Sequence, residues 1–252
     1  MTQQDTPTRT ALVTGSTDGI GAAVARRLAA DGALVIVTGR DLTRGEKVVA
    51  GIAEAGGRAV FVRSDLAAGA SAVRALAETA TARAGGPLDV LVHNAARLVD
   101  PGPTADVAPG LFDEAVAVSV RAPFLLTGLL APAMAARGRG AIVLVGSING
   151  LVGMAGSALY SMTKAAVHSL ASSWAAEYGP SGVRVNTVAP GPTSTERNER
   201  YAARLAPLLA RAPSRRASTP EEVAAAVSFL AGEEAGNVHA TTLTVDGGFS
   251  AV

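Results

Sequence analysis

Three side chains in the second half of the chain have the types and the spacing for proton transfer. Ser147, Tyr160 and Lys164 are a hydroxyl, a phenol and an amine, and they lie 13 and 4 residues apart. Tyr160 and Lys164 fall in a segment with helical spacing, so they share one helix face. A phenol with its ordinary pKa of about 10 is a poor base, and an ammonium one turn away favours the phenolate. We therefore expect Tyr160 to act as a general acid and base, with Lys164 lowering its pKa and Ser147 holding a substrate oxygen.

A glycine-rich turn near the start of the chain has the pattern of a phosphate-binding loop. It follows a short apolar run, opens a helix-like segment, and reads Thr14-Gly15-Ser16-Thr17-Asp18-Gly19-Ile20-Gly21. Glycines let backbone amides approach a phosphate, and a helix amino terminus adds partial positive charge at the same place. The alternative is that the glycines serve only to reverse the chain. In this context the pattern predicts dinucleotide binding by Gly15, Thr17, Asp18, Gly19, Ile20 and Gly21.

The residues after the second and third apolar runs bear on the choice of cofactor. A carboxylate at the end of the second run would bind a ribose 2′-hydroxyl, but this chain has Gly39 followed by Arg40. A guanidinium suits a 2′-phosphate, so NADP(H) is preferred and NAD(H) remains possible. The alternative is that Arg40 points into solvent. Asp65 is expected beside the adenine, unless it only caps a helix.

Short apolar runs alternate with helix-length segments along the chain. The predicted strands are Ala11–Thr14, Leu34–Thr38, Ala59–Arg63, Val90–His93, Ile142–Val145, Val183–Val188 and Thr242–Val245. The predicted helices are Gly21–Asp31, Leu42–Ala55, Ser71–Ala84, Phe112–Arg137, Ser157–Tyr178 and Glu221–Ala231. Strands of near-continuous Val, Ile and Leu are typical of a parallel sheet covered on both faces. The alternation predicts an α/β fold with a doubly wound sheet.

Residues 1–252 read as one domain with a single long excursion at about 192–218. This segment holds three prolines and a cluster of arginines between a predicted strand and a predicted helix. We expect it to cover the carboxyl ends of the strands as a substrate lid, because long loops in compact domains are usually functional. A pair of solvated surface helices is the alternative, with Arg197, Arg200, Arg204, Arg211, Arg215 and Arg216 balanced by Glu196 and Glu199.

Composition excludes several other functions. The chain of 252 residues has no cysteine, which removes disulfides, thiolate catalysis and zinc fingers, and we expect no metal site. Its formal net charge of +1 gives no support for nucleic-acid binding. The polar first residues do not resemble a secretory signal, and no run approaches the roughly 20 apolar residues of a membrane helix. We expect a cytoplasmic protein with no membrane partner.

Taken together, these motifs resemble the short-chain dehydrogenase/reductase family over nearly the whole chain. The matching pieces are Thr14-Gly15-x-x-x-Gly19-Ile20-Gly21, Asp65, Asn94-Ala95, Ser147, Tyr160-x-x-x-Lys164, Pro190-Gly191 with Thr195, and Val245-Asp246-Gly247-Gly248. The resemblance implies a Rossmann-type sheet of seven strands, an NAD(P)(H) cofactor and a homotetramer or homodimer. It also implies cofactor contacts from Leu66, Asn94, Ala95, Tyr160, Lys164, Pro190, Gly191, Thr193 and Thr195. Ser119 stands where the family commonly has an asparagine that holds a water of the proton relay.

The resemblance implies an oxidoreductase that interconverts a small-molecule carbonyl and a secondary alcohol. Within the family the chain looks close to the 3-oxoacyl-carrier-protein reductases. However, Phe124–Ala136 has no basic residue to meet an acidic carrier, which favours a free small substrate. Arg97 could reach a substrate carboxylate. A non-catalytic nucleotide sensor is the alternative from another class, although such a protein usually lacks the tyrosine or the lysine.

Overall fold

A single parallel sheet organises the molecule. The structure is a computed structural model that describes residues 9–196 and 201–252. The strands are β1 Thr10–Val13, β2 Leu34–Gly39, β3 Arg58–Arg63, β4 Val90–His93, β5 Gly140–Val145, β6 Val183–Pro190 and β7 Thr242–Val245. Their order is β3-β2-β1-β4-β5-β6-β7, and every neighbouring pair is parallel. The predicted doubly wound seven-stranded sheet is therefore confirmed.

Helices cover both faces of this sheet. They are α1 Gly19–Ala30, α2 Leu42–Glu54, α3 Ala70–Ala84, α4 Pro109–Val116, α5 Ala122–Ala136, α6 Ala158–Tyr178, α7 Ala202–Leu209 and α8 Pro220–Ala231. Leu12 and Val13 are neighbours on β1 and fully buried, but they belong to opposite layers of the core. One layer packs β1 against α1, α2 and α8, and the other packs it against α3, α5 and α6. Strands buried on both faces need apolar residues at successive positions, which explains the continuous runs.

The segment predicted as one helix, Phe112–Arg137, is interrupted. A π-helical turn at Ala117–Arg121 joins α4 to α5. The combined helix Pro109–Ala136 has a mean hydropathy of 1.6 over its most apolar window, so in residues 9–196 and 201–252 one helix does meet the length and composition of a membrane span. This helix is not an unbroken apolar run, because Ser119 and Arg121 lie within it. Half of that window is buried inside the fold, against α3 and α6 among others, which accounts for its apolar character.

The excursion between β6 and α8 is closed at its base. Thr193 and Ser218 form a parallel bridge, with Ser194 N donating to the Ser218 carbonyl at 2.8 Å and Ser218 N donating to the Pro192 carbonyl at 2.9 Å. The short helix α7 lies within the excursion. Arg197, Glu199 and Arg200 lie outside the described residues, as do the first eight residues of the chain.

The strand order places a crevice at one edge of the sheet. The chain passes from β1 to β2 on one side and reaches β4 on the other side of β1, so the connections diverge there. Ligands of open parallel sheets bind at such a switch point, beyond the carboxyl ends of the strands. The glycine-rich turn follows β1, and Asn94 follows β4. Both motifs therefore reach the same crevice.

Candidate active site

A cleft with a cavity volume of about 490 Å³ lies over the carboxyl ends of β1, β4, β5 and β6. Ser147, Tyr160 and Lys164 line it together. Its wall also includes every residue predicted to bind the cofactor: Gly15, Thr17, Asp18, Gly19, Ile20, Gly21, Arg40, Asp65, Leu66, Asn94, Ala95, Pro190, Gly191, Thr193 and Thr195. Ser119 is not part of that wall. The structure thus brings the two halves of the sequence pattern to one site.

The three glycines of the turn have different roles. A Cβ on Gly21 would stand closer than 3.0 Å to the Gly15 carbonyl oxygen and to Asn94 Nδ2. A Cβ on Gly15 would stand 2.9 Å from Ala95 Cα, and the φ of Gly15 is +62°. A Cβ on Gly19 would meet only Thr195, at 3.5 Å. Gly15 and Gly21 therefore allow the turn to pack against the loop after β4, and Gly19 is the one that borders open space for a ligand.

Asn94 and Thr14 hold the turn in place. Asn94 Nδ2 donates to the carbonyl oxygens of Thr14 at 3.0 Å and Gly15 at 2.8 Å. Thr14 Oγ1 accepts from the backbone nitrogens of Asn94 at 3.0 Å and Ala95 at 3.1 Å. These reciprocal bonds join the ends of β1 and β4. The side chain of Asn94 thus supports the cleft from beneath.

The end of β2 carries unpaired hydroxyls and positive charge. Ser16 Oγ accepts from Thr38 N at 2.9 Å and fixes the turn to this strand. Within the described residues, the buried atoms Thr38 Oγ1 and Ser64 Oγ have no hydrogen-bond partner, and both residues line the cleft. Arg40 is exposed at the rim, and Arg63 Nε donates to its carbonyl oxygen at 3.0 Å. This end therefore offers donors to a polar, anionic ligand.

Both aspartates predicted near the cofactor also have structural roles. Asp18 caps α1 by accepting from Gly19 N at 2.7 Å, and it pairs with Arg44 at 3.0 Å. The ion pair offsets a carboxylate that would otherwise oppose a phosphate at the turn. Asp65 accepts from Ala67 N at 3.0 Å and caps the short 3₁₀ turn after β3. Asp65 therefore does cap a helical turn, and it also lines the cleft.

The three candidate catalytic side chains come from β5 and α6. Ser147 follows β5 and is buried, and its hydroxyl caps the turn Ile148–Gly150 by accepting from Asn149 N at 3.2 Å. Lys164 is buried, and its Nζ donates to the carbonyl oxygen of Val145 at 2.7 Å. The same Nζ lies 5.7 Å from the centre of the Tyr160 ring. The helical spacing therefore places the amine beside the phenol, as expected.

The direction of the Tyr160 pKa is opposite to the sequence-based expectation. Burial raises the pKa of Tyr160 to about 12, and a hydrogen bond with the Ser147 side chain only partly opposes this. Burial also lowers the pKa of Lys164 to about 8. The protein's own groups thus keep the phenol protonated at neutral pH, because desolvation outweighs the hydrogen bond with Ser147. Tyr160 is accordingly a proton donor in this state.

His168 is a site residue that the sequence reasoning did not single out. Its Nε2 accepts a hydrogen bond from the backbone nitrogen of Ser147 at 3.4 Å. A Cβ on Gly146 would overlap the imidazole, so this glycine lets the ring approach the end of β5. Burial, and then the charge of Lys164, lower the pKa of His168, which keeps Nε2 free to accept. The spacing Tyr160, Lys164, His168 at every fourth position was the available signal.

Ser119 lies beneath the cleft and not in its wall. It is 2% exposed in the π-helical turn, and its Oγ accepts from the backbone nitrogen of Arg97 at 3.0 Å. This bond fixes the loop that follows Asn94. A π-helical turn within an α-helix often marks a functional site. A role for Ser119 in proton transfer stays a prediction.

The substrate end of the cleft is mostly apolar. Leu98, Ile148 and Met154 line it, as expected from the sequence, together with Leu205, Leu208 and Phe249. Arg97 also lines it, but its guanidinium pairs with Glu114 at 2.9 Å, so its charge is already balanced. Tyr201 lies at the start of α7, and its hydroxyl donates to the Asp100 carboxylate across the opening. The described part of the excursion therefore faces the cleft, and its role as a lid stays a prediction.

The residues of the cleft fit a nicotinamide dinucleotide. Unpaired buried hydroxyls at the end of β2 and β3 can bind an adenosine, and the open space at Gly19 beside a helix amino terminus suits a pyrophosphate. A protein that combines a doubly wound sheet with this site belongs to the class of nucleotide-dependent oxidoreductases.

The family model described as "Enoyl-(Acyl carrier protein) reductase" matches residues 15–250. The chain is 41% identical over 245 residues to "Cis-4-hydroxycyclohexanecarboxylate dehydrogenase" of Sinomonas cyclohexanicum, covering 97% of both proteins. It therefore belongs to the short-chain dehydrogenase/reductase family, whose members are oxidoreductases that bind NAD(P)(H).

Solved structures agree with this assignment. One is a putative NAD(P) dependent gluconate 5-dehydrogenase from Beutenbergia cavernae with bound NADP at low occupancy. It has a TM-score of 0.91 and 36% identity, with 97% of each chain covered. Another is described as a putative betaketoacyl-ACP reductase. It has a TM-score of 0.87 and 42% identity, with 97% of this chain and 98% of that chain covered.

Proposed function

We propose that the chain is an NADP(H)-dependent oxidoreductase that interconverts a ketone and a secondary alcohol of a small substrate, with Tyr160 as the general acid and base. The observation that carries this proposal is the meeting of Ser147, Tyr160 and Lys164 with the glycine-rich turn in one cleft. A phenol beside a buried ammonium is a proton donor with a charge ready to stabilise its conjugate base.

Each residue has a defined task in the reduction direction. The glycine-rich turn and the cleft wall would hold NADPH, which would supply a hydride to the carbonyl carbon. The Ser147 hydroxyl donates a hydrogen bond to the carbonyl oxygen, and the Tyr160 phenol gives that oxygen its proton. The phenolate left on Tyr160 is stabilised by the ammonium of Lys164. In the oxidation direction the same phenolate removes the proton of the alcohol.

The preference for NADP(H) follows from the charges at the end of β2. Arg40 is exposed at the cleft rim, and Gly39 leaves no carboxylate there to repel a 2′-phosphate. A Cβ on Gly39 would also stand 2.6 Å from Thr17 Cγ2, so the packing of the turn favours glycine at this position. The Arg63 side chain is bonded to the Arg40 carbonyl oxygen and adds a second guanidinium nearby.

A free small molecule is a better substrate candidate than an acyl group on a carrier protein. The substrate end of the cleft is apolar, and the name of the Sinomonas relative describes a secondary alcohol on an apolar ring. The carrier alternative is supported by the name of one similar structure. It is opposed by the lack of basic residues on α5 and by the burial of Lys164 on α6, because an acidic carrier needs exposed positive charge.

We also propose a homotetramer, or a homodimer, located in the cytoplasm. Large apolar side chains are exposed on two parts of the surface, which favours burial against further copies of the chain. They are Phe112, Phe124 and Met162 on α4, α5 and α6, and Phe229 and Leu243 on α8 and the edge strand β7. Light scattering coupled to size-exclusion chromatography would distinguish these states from a monomer. The cytoplasm fits the absence of cysteine.

The test is turnover of 4-oxocyclohexanecarboxylate and neutral cyclic ketones with NADPH and NADH. Tyr160→Phe is expected to lower kcat at least about 100-fold, because general acid catalysis contributes that much, while NADPH still binds. Tyr178→Phe is the matched control, since it removes a phenol from the same helix outside the cleft wall. Arg40→Met should reduce the preference for NADPH over NADH by about 10-fold. Tight NADPH binding without turnover of any ketone would favour the sensor alternative.

A further inference from the structure

A second cavity of about 470 Å³ adjoins the substrate end of the cleft. We call it the outer chamber. Both the cleft and the outer chamber are lined by Pro101, Met154, Ser157, Leu208 and Phe249, so the two spaces adjoin at these residues. A substrate with its reacting carbon near Tyr160 would reach the outer chamber by extending past these side chains. The outer chamber then receives the end of the molecule that does not react.

The walls of the outer chamber combine apolar surface with one cation. Val152, Met154, Leu208 and Phe249 supply apolar walls, and no aspartate or glutamate side chain is among the lining residues. Arg211 is the basic residue of this wall. Its guanidinium carbon lies 5.7 Å from the centre of the Phe249 ring, within the range of a cation–π contact. Arg211 is exposed, so it lies at the boundary between the chamber and solvent.

The charge of Arg211 is available to a ligand. Across residues 9–196 and 201–252, no carboxylate forms an ion pair with it. Arg97, the other arginine at the substrate end, is neutralised by Glu114 at 2.9 Å. A guanidinium beside apolar walls binds a carboxylate more strongly than one surrounded by water, because the walls lower the local dielectric.

We propose that the outer chamber is a carboxylate subsite and that Arg211 binds the carboxylate at the end of the substrate remote from its carbonyl. The proposal rests on the proposed function and specifies its substrate class. The substrate is then a keto acid, or the corresponding hydroxy acid, in which an apolar spacer separates the two oxygen functions. Arg211 selects for the anion but takes no part in proton or hydride transfer.

The test measures binding, so it does not depend on turnover. Cyclohexanecarboxylate and its neutral isostere cyclohexanecarboxamide are titrated by calorimetry into the enzyme with NADP⁺ present. The wild-type protein is expected to prefer the carboxylate by about 10-fold at low ionic strength, the size of one charge-assisted hydrogen bond at a partly exposed site. The preference should shrink as salt is added, because exposed charges are screened.

Variants assign the preference to a residue. Arg211→Met should abolish it, and Arg211→Lys should keep part of it because the charge remains. Arg97→Met and the surface control Arg26→Met should retain it. Equal binding of the two probes by the wild type, or a preference that survives in Arg211→Met and disappears in Arg97→Met, would overturn the proposal. Failure of the proposed function is separate, since it would appear as absent turnover of all ketones.

Discussion

Gly21→Ala tests the inference that the turn needs a glycine here in order to pack against Asn94. The new methyl group would stand closer than 3.0 Å to Asn94 Nδ2 and the Gly15 carbonyl oxygen, so the Asn94 side chain must move. Two hydrogen bonds from Asn94 Nδ2 are then lost, at about 1 kcal/mol each. Overpacking adds about 1–3 kcal/mol. The expected loss in the free energy of unfolding is about 3–5 kcal/mol.

Thermal unfolding of the protein without cofactor measures this loss. A protein of this size changes its Tm by roughly 2–4 °C per kcal/mol, so Gly21→Ala should unfold about 6–20 °C below the wild type. Gly51→Ala is the control, because a Cβ there has nothing within 4 Å and alanine favours the helix interior by about 0.5–1 kcal/mol. Its Tm should equal or exceed that of the wild type.

Gly19→Ala separates packing from binding at the same turn. Its Cβ would point toward open space near Thr195, so the main cost is the positive φ of +49°, about 1–2 kcal/mol. We expect Gly19→Ala to lower the Tm less than Gly21→Ala does. Relative to its loss in the free energy of unfolding, Gly19→Ala should lose more NADPH affinity than Gly21→Ala. The reasoning is refuted if Gly21→Ala keeps the wild-type Tm, or if Gly19→Ala is the less stable of the two.

Two further predictions concern the chemistry of the site. His168→Leu removes the acceptor of the Ser147 amide, so kcat should fall about 5-fold with little change in KM, and His168→Gln, which retains an acceptor, should recover most of it. Because the pKa of His168 is lowered, wild-type activity should persist below the ordinary histidine pKa of about 6.5 and decline only when His168 becomes protonated. The pH profile of His168→Gln should lack this acidic decline. An equal loss of kcat in His168→Leu and His168→Gln would contradict the positioning role. Reduction should be fast at neutral pH, where the phenol of Tyr160 is protonated and Lys164 is cationic, and slow as pH rises through about 8 and Lys164 loses its proton. Stopped-flow measurement of NADPH oxidation from pH 5 to 10 would check both, and a reduction rate that stays constant from pH 7 to 10 would contradict the assignment to Lys164.

Patterns of neighbouring residues predicted most of the strands and helices of this protein. β4 and β7 begin and end at the predicted residues. For β4 the reason is that a strand buried on both faces requires an unbroken apolar run, whereas β7 is a partly exposed edge strand in which threonines alternate with apolar residues. The shared face of Tyr160 and Lys164 follows from the helical repeat alone. Arg40 was likewise placed at the cleft rim by its position after a strand.

Features that depend on contacts between distant residues could not be predicted. Gly21 is constrained by Asn94, and Arg97 is neutralised by Glu114, although neither pair is close in sequence. The balance between burial and charge at Tyr160 also depends on how many atoms surround the phenol, which the spacing of residues does not reveal. Desolvation therefore reversed the expected direction of its pKa shift.

The bridge between Thr193 and Ser218 makes the excursion structurally independent of the elements on either side of it, β6 and α8. Because the two ends of the excursion are hydrogen-bonded to each other, the chain between them leaves and returns at nearly one point. Insertions and deletions within the excursion, or its exchange for another segment, need not disturb β6 or the capping box that starts α8 at Thr219. The reacting centre and the nucleotide turn can thus stay constant while descendants of the same gene acquire new substrates, and a transplanted excursion is the natural unit for engineering them.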